Sequence, residues 1–237
     1  MKEGEIFAIF SFQKGETGMT VTEPDSAYLR QRAVEQLLNS FSSPFPPMTP
    51  RRLAGRVTLP GKATAIVGMR RAGKTTFLNQ IRQAWVERGI ARERLPYLNF
   101  EDERLVGFSV EHFSLVVEEY YRRFPALRGR ETVLWCLDEI QVVHGWERFV
   151  RRLLDTEKVE VFVSGSSAAL LSREVATSMR GRAWEVRIFS FGFEEYLRHH
   201  GRRLPGGDRS SPKVFALFST RSFRKAVFWP SRGSRLE

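Results

Sequence analysis

The stretch VGMRRAGKTT, residues 67–76, constrains this chain more than any other. Gly68, Gly73, Lys74 and Thr75 match the spacing G-x-x-x-x-G-K-[ST] in full. An apolar run, TAIVG (64–68), leads into it, and an amphipathic run, KTTFLNQIRQAWVERG (74–89), leads out. A loop between a buried strand and a helix is the setting in which this pattern binds phosphate. Its glycines let the backbone fold tightly, so that successive N–H groups face the anion. The helix start adds partial positive charge. In such a loop Gly68, Ala72, Gly73, Lys74, Thr75 and Thr76 cradle a nucleoside triphosphate such as ATP. Lys74 reaches the β- and γ-phosphates, and the Thr75 hydroxyl binds Mg2+. The rival reading is a Gly-rich strand-to-helix turn with an exposed lysine.

The rest of the chain fits that setting. Strand-like runs LPYLNF (95–100), TVLWCLDE (132–139), VEVFVSGSS (159–167) and WEVRIFSF (184–191) alternate with helix-like ones. The helix-like runs are SVEHFSLVVEEYYRRF (109–124), GWERFVRRLLD (145–155), ALLSREVATSM (169–179) and FEEYLRHH (193–200). Alternation of this kind predicts an α/β fold, a parallel sheet with helices on both faces. An earlier helix over 26–39 takes Ser26 as its cap. The Pro-rich stretch SSPFPPMTP that follows reads as an extended linker. The sequence therefore divides into an N-terminal extension (1–50), a P-loop domain (51–200) and a basic, irregular tail (201–237).

The third strand is apolar throughout and ends in Asp138-Glu139. Ligands of parallel sheets bind at the C-terminal ends of the strands. Asp138 is thus the candidate Mg2+ ligand, and Glu139 the group that polarises an attacking water. The fourth strand ends in Ser164-Gly165-Ser166-Ser167. Ser166, preferred to Ser164, is read as a sensor of the γ-phosphate, against the alternative of a plain turn cluster. Arg180 and Arg182, in MRGR (179–182), are read as arginine fingers acting in their own subunit or on a neighbour's nucleotide; a surface salt bridge is the alternative. Glu101 and Asp102 fall just past the second strand, also at the C-terminal edge, and read as a solvated loop, with lining of the site as the alternative. His144, His199 and His200 lack metal-ligand spacing and read as structural or exposed.

Charge is uneven. The net charge is +11, yet residues 198–237 hold ten Arg/Lys and two acids, so most of the excess lies in the tail. The body gives no support for nucleic-acid binding. No apolar run reaches the length of a membrane helix, and the start of the chain lacks a secretory cleavage pattern. With one cysteine, Cys136, no internal disulfide forms. The expected location is cytoplasmic, with ATP as ligand and room for a homo-oligomer or a protein partner.

Taken in order, the segments VGMRRAGKTTFL, YLNFEDERL, LDEIQVVHGWERFVRRLLD, VSGSSAALLSREVATSMRGR and FSFGFEEYL resemble the archaeal-type AAA+ ATP-binding proteins of prokaryotes. Similarity runs from about Pro50 to Arg198. The resemblance implies a P-loop three-layer sandwich with strand order 5-1-4-3-2 that binds and hydrolyses ATP with Mg2+. It also implies the roles given to Gly68 to Thr76, Asp138, Glu139, Ser166, Arg180 and Arg182. A nucleotide-dependent switch with little turnover is the second reading. In that family a C-terminal domain follows. The tail here shows none, so it reads as a truncated or frameshifted remnant, and Met19 is an alternative start.

Overall fold

The computed structural model describes residues 25–51, 58–166 and 177–202. The helix expected over 169–179 lies mostly outside these residues, as do residues 1–24 and the tail from 203 onward.

Helix α1 (Ser26–Ser42) comes first. Asp25, not Ser26, caps it, accepting from the Ala27 amide at 3.2 Å. Both residue types cap well, and the chain enters one residue earlier than its composition alone can specify. Then follow β1 (Ala63–Val67), α2 (Lys74–Glu87), β2 (Tyr97–Asn99), α3 (Val110–Arg123) and β3 (Val133–Asp138). The remainder comprises α4 (Trp146–Thr156), β4 (Val159–Gly165), β5 (Ala183–Arg187) and α5 (Phe193–His199).

All four strand pairs are parallel and the order is β2-β3-β4-β1-β5, which is 5-1-4-3-2 read from the other edge. β3 (VLWCLD) is buried along its whole length, as a central parallel strand covered on both faces must be. Its side chains alternate between two cores. Val133, Trp135 and Leu137 join α1, α3 and α4 on one face. Leu134 and Cys136 join Phe77 and Leu78 of α2 on the other. This is the three-layer sandwich. Phe113 of α3 stacks on Phe149 of α4, with centroids 4.1 Å apart and planes 11° from parallel. Truncating either ring to alanine would cost about 3–5 kcal/mol.

Although α1 precedes the Pro-rich stretch, Leu29, Ala33 and Leu37 pack into the same core as β3. The prolines stop the helix, and the chain continues as an anchored strap. Phe45 lies under the guanidinium groups of Arg82 and Arg92, at 5.4 and 4.2 Å. Gln80 donates to the Thr49 carbonyl at 2.6 Å.

Candidate nucleotide site

The loop between β1 and α2 is built from two backbone requirements. A Cβ at Gly68 would lie 2.2 Å from the Ile188 carbonyl oxygen, because the segment after β5 crosses the loop there. Ile188 donates to the Val67 carbonyl at 2.8 Å at the same crossing. Gly73 has φ 95° and starts α2 from the left-handed region, which a side chain rarely tolerates. Together they hold the loop over the helix N-terminus. Lys74 is 5% exposed. Its Nζ donates to the carbonyls of Gly68 and Met69 at 3.2 and 3.1 Å. Both partners are neutral, so they leave the ammonium charge uncompensated at the centre of the loop. Thr75 is exposed and Thr76 partly so, on the first turn of α2. Arg71 takes φ 63°, and exposed Arg70 pairs with Glu101 at 3.1 Å. Such a pair contributes little to stability.

The two carboxylates emerge at the same edge of the sheet, with β4 between them and the loop. Asp138 is fully buried. Its Oδ2 accepts from the Tyr97 hydroxyl at 2.8 Å, and its Oδ1 accepts from Ser164 Oγ. Burial pushes the Tyr97 phenol up, and the neighbouring Asp138 adds to the shift, so the hydroxyl stays a donor. Glu139 is 8% exposed and holds φ 54°, a strained value for a non-glycine residue. Its Oε2 accepts from the Ser166 amide at 2.7 Å and from Gln141 Nε2 at 2.8 Å. The Glu139 amide donates to Ser164 Oγ at 3.3 Å.

On the other side of the loop lies a cavity of about 380 Å³ lined by Arg51, Arg71, Gly73, Thr76, Phe191 and Tyr196, among others. Arg51 is its best-held wall, with a side chain only 5% exposed. It donates to the carbonyls of Ala72 (3.3 Å) and Phe189, sits 3.4 Å from Glu195 of α5, and lies 4.9 Å over the Phe191 ring. A wider hollow of about 610 Å³ on the outer side of α3 is lined by surface residues such as Glu118, Arg122 and Arg128, away from this edge.

A family model described as "AAA domain" (AAA_14) matches residues 60–197. The chain belongs to this AAA domain family. Its AAA domain is 39% identical over 140 residues to the uncharacterized protein MJ1544 of Methanocaldococcus jannaschii, a match covering 59% of this chain and 29% of that protein. An uncharacterized protein of Haemophilus influenzae is 34% identical over 154 residues, covering 65% and 37%. The chain thus spans about a third of the length of these curated relatives. The structure of C. elegans PCH-2 is 14% identical with a TM-score of 0.38, covering 63% of this chain and 43% of that one, a likeness that carries no argument. A P-loop α/β fold and nucleotide binding of the ATPase type follow from membership of the AAA domain family.

Within one AAA domain the sequence-derived residues divide into two groups. Gly68 to Thr76, Asp138, Glu139 and Ser166 gather at the C-terminal edge of the sheet. Arg180 and Arg182 do not. Arg182 precedes β5, and its carbonyl accepts from Ala63 at the start of β1. That is the opposite edge, about 16 Å from the loop for a five-residue strand. Arg182 pairs there with Asp155. Placement before a parallel strand is itself the sequence signal for this far edge. Ser166 approaches Glu139 through its backbone amide, while Ser164, passed over in the sequence, bonds directly to Asp138. Tyr97, Gln141 and Arg51 were also missed. Tyr97 reaches Asp138 across strands, Gln141 meets Glu139 from two residues along the chain, and Arg51 follows directly on the Pro-rich run. No helix among the described residues is long and apolar enough to cross a membrane.

Proposed function

We propose that this AAA domain binds ATP with Mg2+ and hydrolyses its terminal phosphate. The observation that carries the reading is the pairing of the Lys74 loop with Asp138 and Glu139 at one sheet edge. The loop amides and the α2 N-terminus would hold the phosphates, and Lys74 would exchange its two carbonyl partners for phosphate oxygens. Thr75 and Asp138 offer hard oxygen donors. Among the described residues no group of three or more His, Cys, Asp or Glu could cage a metal alone. Mg2+ is suited to this arrangement, taking one or two protein oxygens and completing its shell with phosphate and water. When bound, it neutralises charge on the β- and γ-phosphate oxygens. Glu139 would accept the proton of the attacking water. The cavity beyond Thr76 would take the nucleoside, with Phe191 and Tyr196 offering aromatic faces and Arg51 fixing the wall.

A second reading is favoured by one contact. Glu139 Oε2 accepts from both the Ser166 amide and Gln141, which engages that oxygen and holds the carboxylate in one orientation. A domain resting in this state would act as a nucleotide-dependent switch whose turnover rises only with a partner. Binding and turnover of ATP by the purified protein, Lys74→Ala and Glu139→Gln separate the two. A wild-type protein that binds no nucleotide overturns both.

A further inference from the structure

The Asp138 carboxylate lies at full burial, where an ionised group persists only if donors meet it. Two hydroxyls do so, one on each oxygen: Ser164 from β4 and Tyr97 from β2. Each carboxylate oxygen has two acceptor positions, so this clamp fixes the carboxylate plane and still leaves one position per oxygen for a metal-bound water.

Tyr97 is itself backed by a buried cation. Arg82, on α2, is 4% exposed, and its guanidinium carbon lies 5.1 Å from the Tyr97 ring centroid. Its hydrogen bonds go to neutral oxygens: the carbonyls of Leu95 (3.2 Å) and Ser40 (2.8 Å) and the side chain of Asn79 (3.1 Å). Phe45 of the strap covers it as well. An arginine buried without a carboxylate hydrogen-bonded to it is costly, and the phenol it covers is the one that donates to Asp138. A cation over an aromatic face draws electron density from the ring and makes its hydroxyl a stronger donor.

We infer that Tyr97, backed by Arg82, is a positioning residue that holds Asp138 for the metal, so that Mg2+-dependent nucleotide binding is set from β2 and α2 as well as by Asp138 itself. The inference rests on the MgATP reading above. Tyr97→Phe removes one oxygen and keeps the ring over which Arg82 lies. The test is the affinity of a fluorescent ATP analogue titrated with and without Mg2+. In Tyr97→Phe the Mg2+ concentration at half-effect should rise 10- to 100-fold, the range for loss of a group that orients a metal ligand. Affinity without Mg2+ should stay within about twofold, because Tyr97 touches no phosphate-binding group. In an Asp138→Asn background the same substitution should change nothing further. Arg82→Lys, which keeps the charge and loses the planar stack, should shift the Mg2+ dependence about threefold in the same direction. A wild type that binds nucleotide independently of Mg2+ overturns the MgATP reading and the inference with it. A wild type that requires Mg2+, beside a Tyr97→Phe protein of unchanged Mg2+ dependence, overturns the inference alone.

Discussion

The Ser166 amide donates to Glu139 Oε2 at 2.7 Å, across the gap between the ends of β4 and β3. The contact ties the candidate water-polarising group to the loop that follows β4. Glu139→Gln keeps an oxygen to accept that bond and removes only the basic carboxylate. The fold should be unchanged and nucleotide affinity should stay within about threefold. ATP turnover should fall at least 100-fold, the low end for loss of a general base. Steady-state phosphate release measured beside equilibrium binding checks it, and undiminished release would remove Glu139 from the mechanism.

Gly68 has a different vulnerability. Its missing Cβ is the space occupied by the Ile188 carbonyl oxygen, 2.2 Å away. That atom is backbone, anchored by the Ile188 amide to Val67, so it cannot swing aside. Gly68→Ala must push the β5 end from the loop at a cost of about 1–3 kcal/mol. Urea denaturation of the ligand-free protein should show this as a lower midpoint, with Gly192→Ala as a control, since Gly192 has φ −69° and a Cβ there meets only Glu195 Oε2 at 3.8 Å, an ordinary contact.

Asp102, expected to be a solvated loop residue, is instead a junction. Its carboxylate accepts from Arg104 at 2.7 and 3.0 Å and from Gln36 of α1 at 2.9 Å. The Arg104 guanidinium beside it, aided by Gln36, holds its pKa down to about 2. The ordinary carboxylate value is about 4. A depressed folded value means the stabilisation is fully present above pH 4 and is lost as pH falls from about 4 towards 2. Asp102→Asn should therefore lower the thermal midpoint at pH 7 by about 2–4 °C, taking a pair whose arginine is half-exposed at no more than about 1 kcal/mol. Wild type and variant should converge near pH 2. A difference that persists unchanged there would show that charge is not the cause.

The strands and helices were readable because each is locally periodic. β3 is apolar at every position before Asp138, and α2 repeats its buried residues at helical spacing. The phosphate loop was readable for the same reason: Gly68, Gly73, Lys74 and Thr75 lie within one octapeptide. The groups around Asp138 were not. Tyr97 reaches it from a strand 41 residues earlier, through a register in which Tyr97 faces Cys136 and Asn99 faces Asp138. No spacing along the chain encodes that. Both serines follow the same apolar run, so the sequence does not mark Ser164 as the buried partner of Asp138. Arg51 stands at the start of the P-loop domain just after the Pro-rich run, and nothing local marks its contacts with Ala72, Phe189 and Glu195, all distant in sequence.

Arg180 and Arg182 lead to a prediction about assembly. They stand at the edge of the sheet opposite the loop, which favours action on a neighbouring copy's nucleotide over action on their own. Turnover per chain should then rise with protein concentration. A protein carrying both Arg180→Ala and Arg182→Ala should be inactive alone, as should Glu139→Gln. Mixed, they should regain part of the activity, because some interfaces then pair an intact Glu139 with intact arginines. The Arg182–Asp155 pair is half-exposed, so its loss should cost little stability. Absence of recovery on mixing would exclude a role in trans.

Cys136 is the chain's single cysteine and lies in the middle of β3, fully buried. Burial pushes its thiol up to about 12. The native thiol is therefore protonated at neutral pH and shielded, and should react with a disulfide reagent only when β3 opens. Its strand ends two residues later in Asp138, so opening that exposes the sulfur also dismantles the proposed metal side of the site. Ligand that binds only the closed form should slow labelling by the factor 1 + [L]/Kd, about 100-fold at a hundred times Kd. The rate should be measured at rising concentrations of MgATP and, separately, in urea, where it should reach that of a free thiol. A native rate indifferent to saturating nucleotide would mean that β3 opens without disturbing the loop, and that the two halves of the site are not coupled in stability.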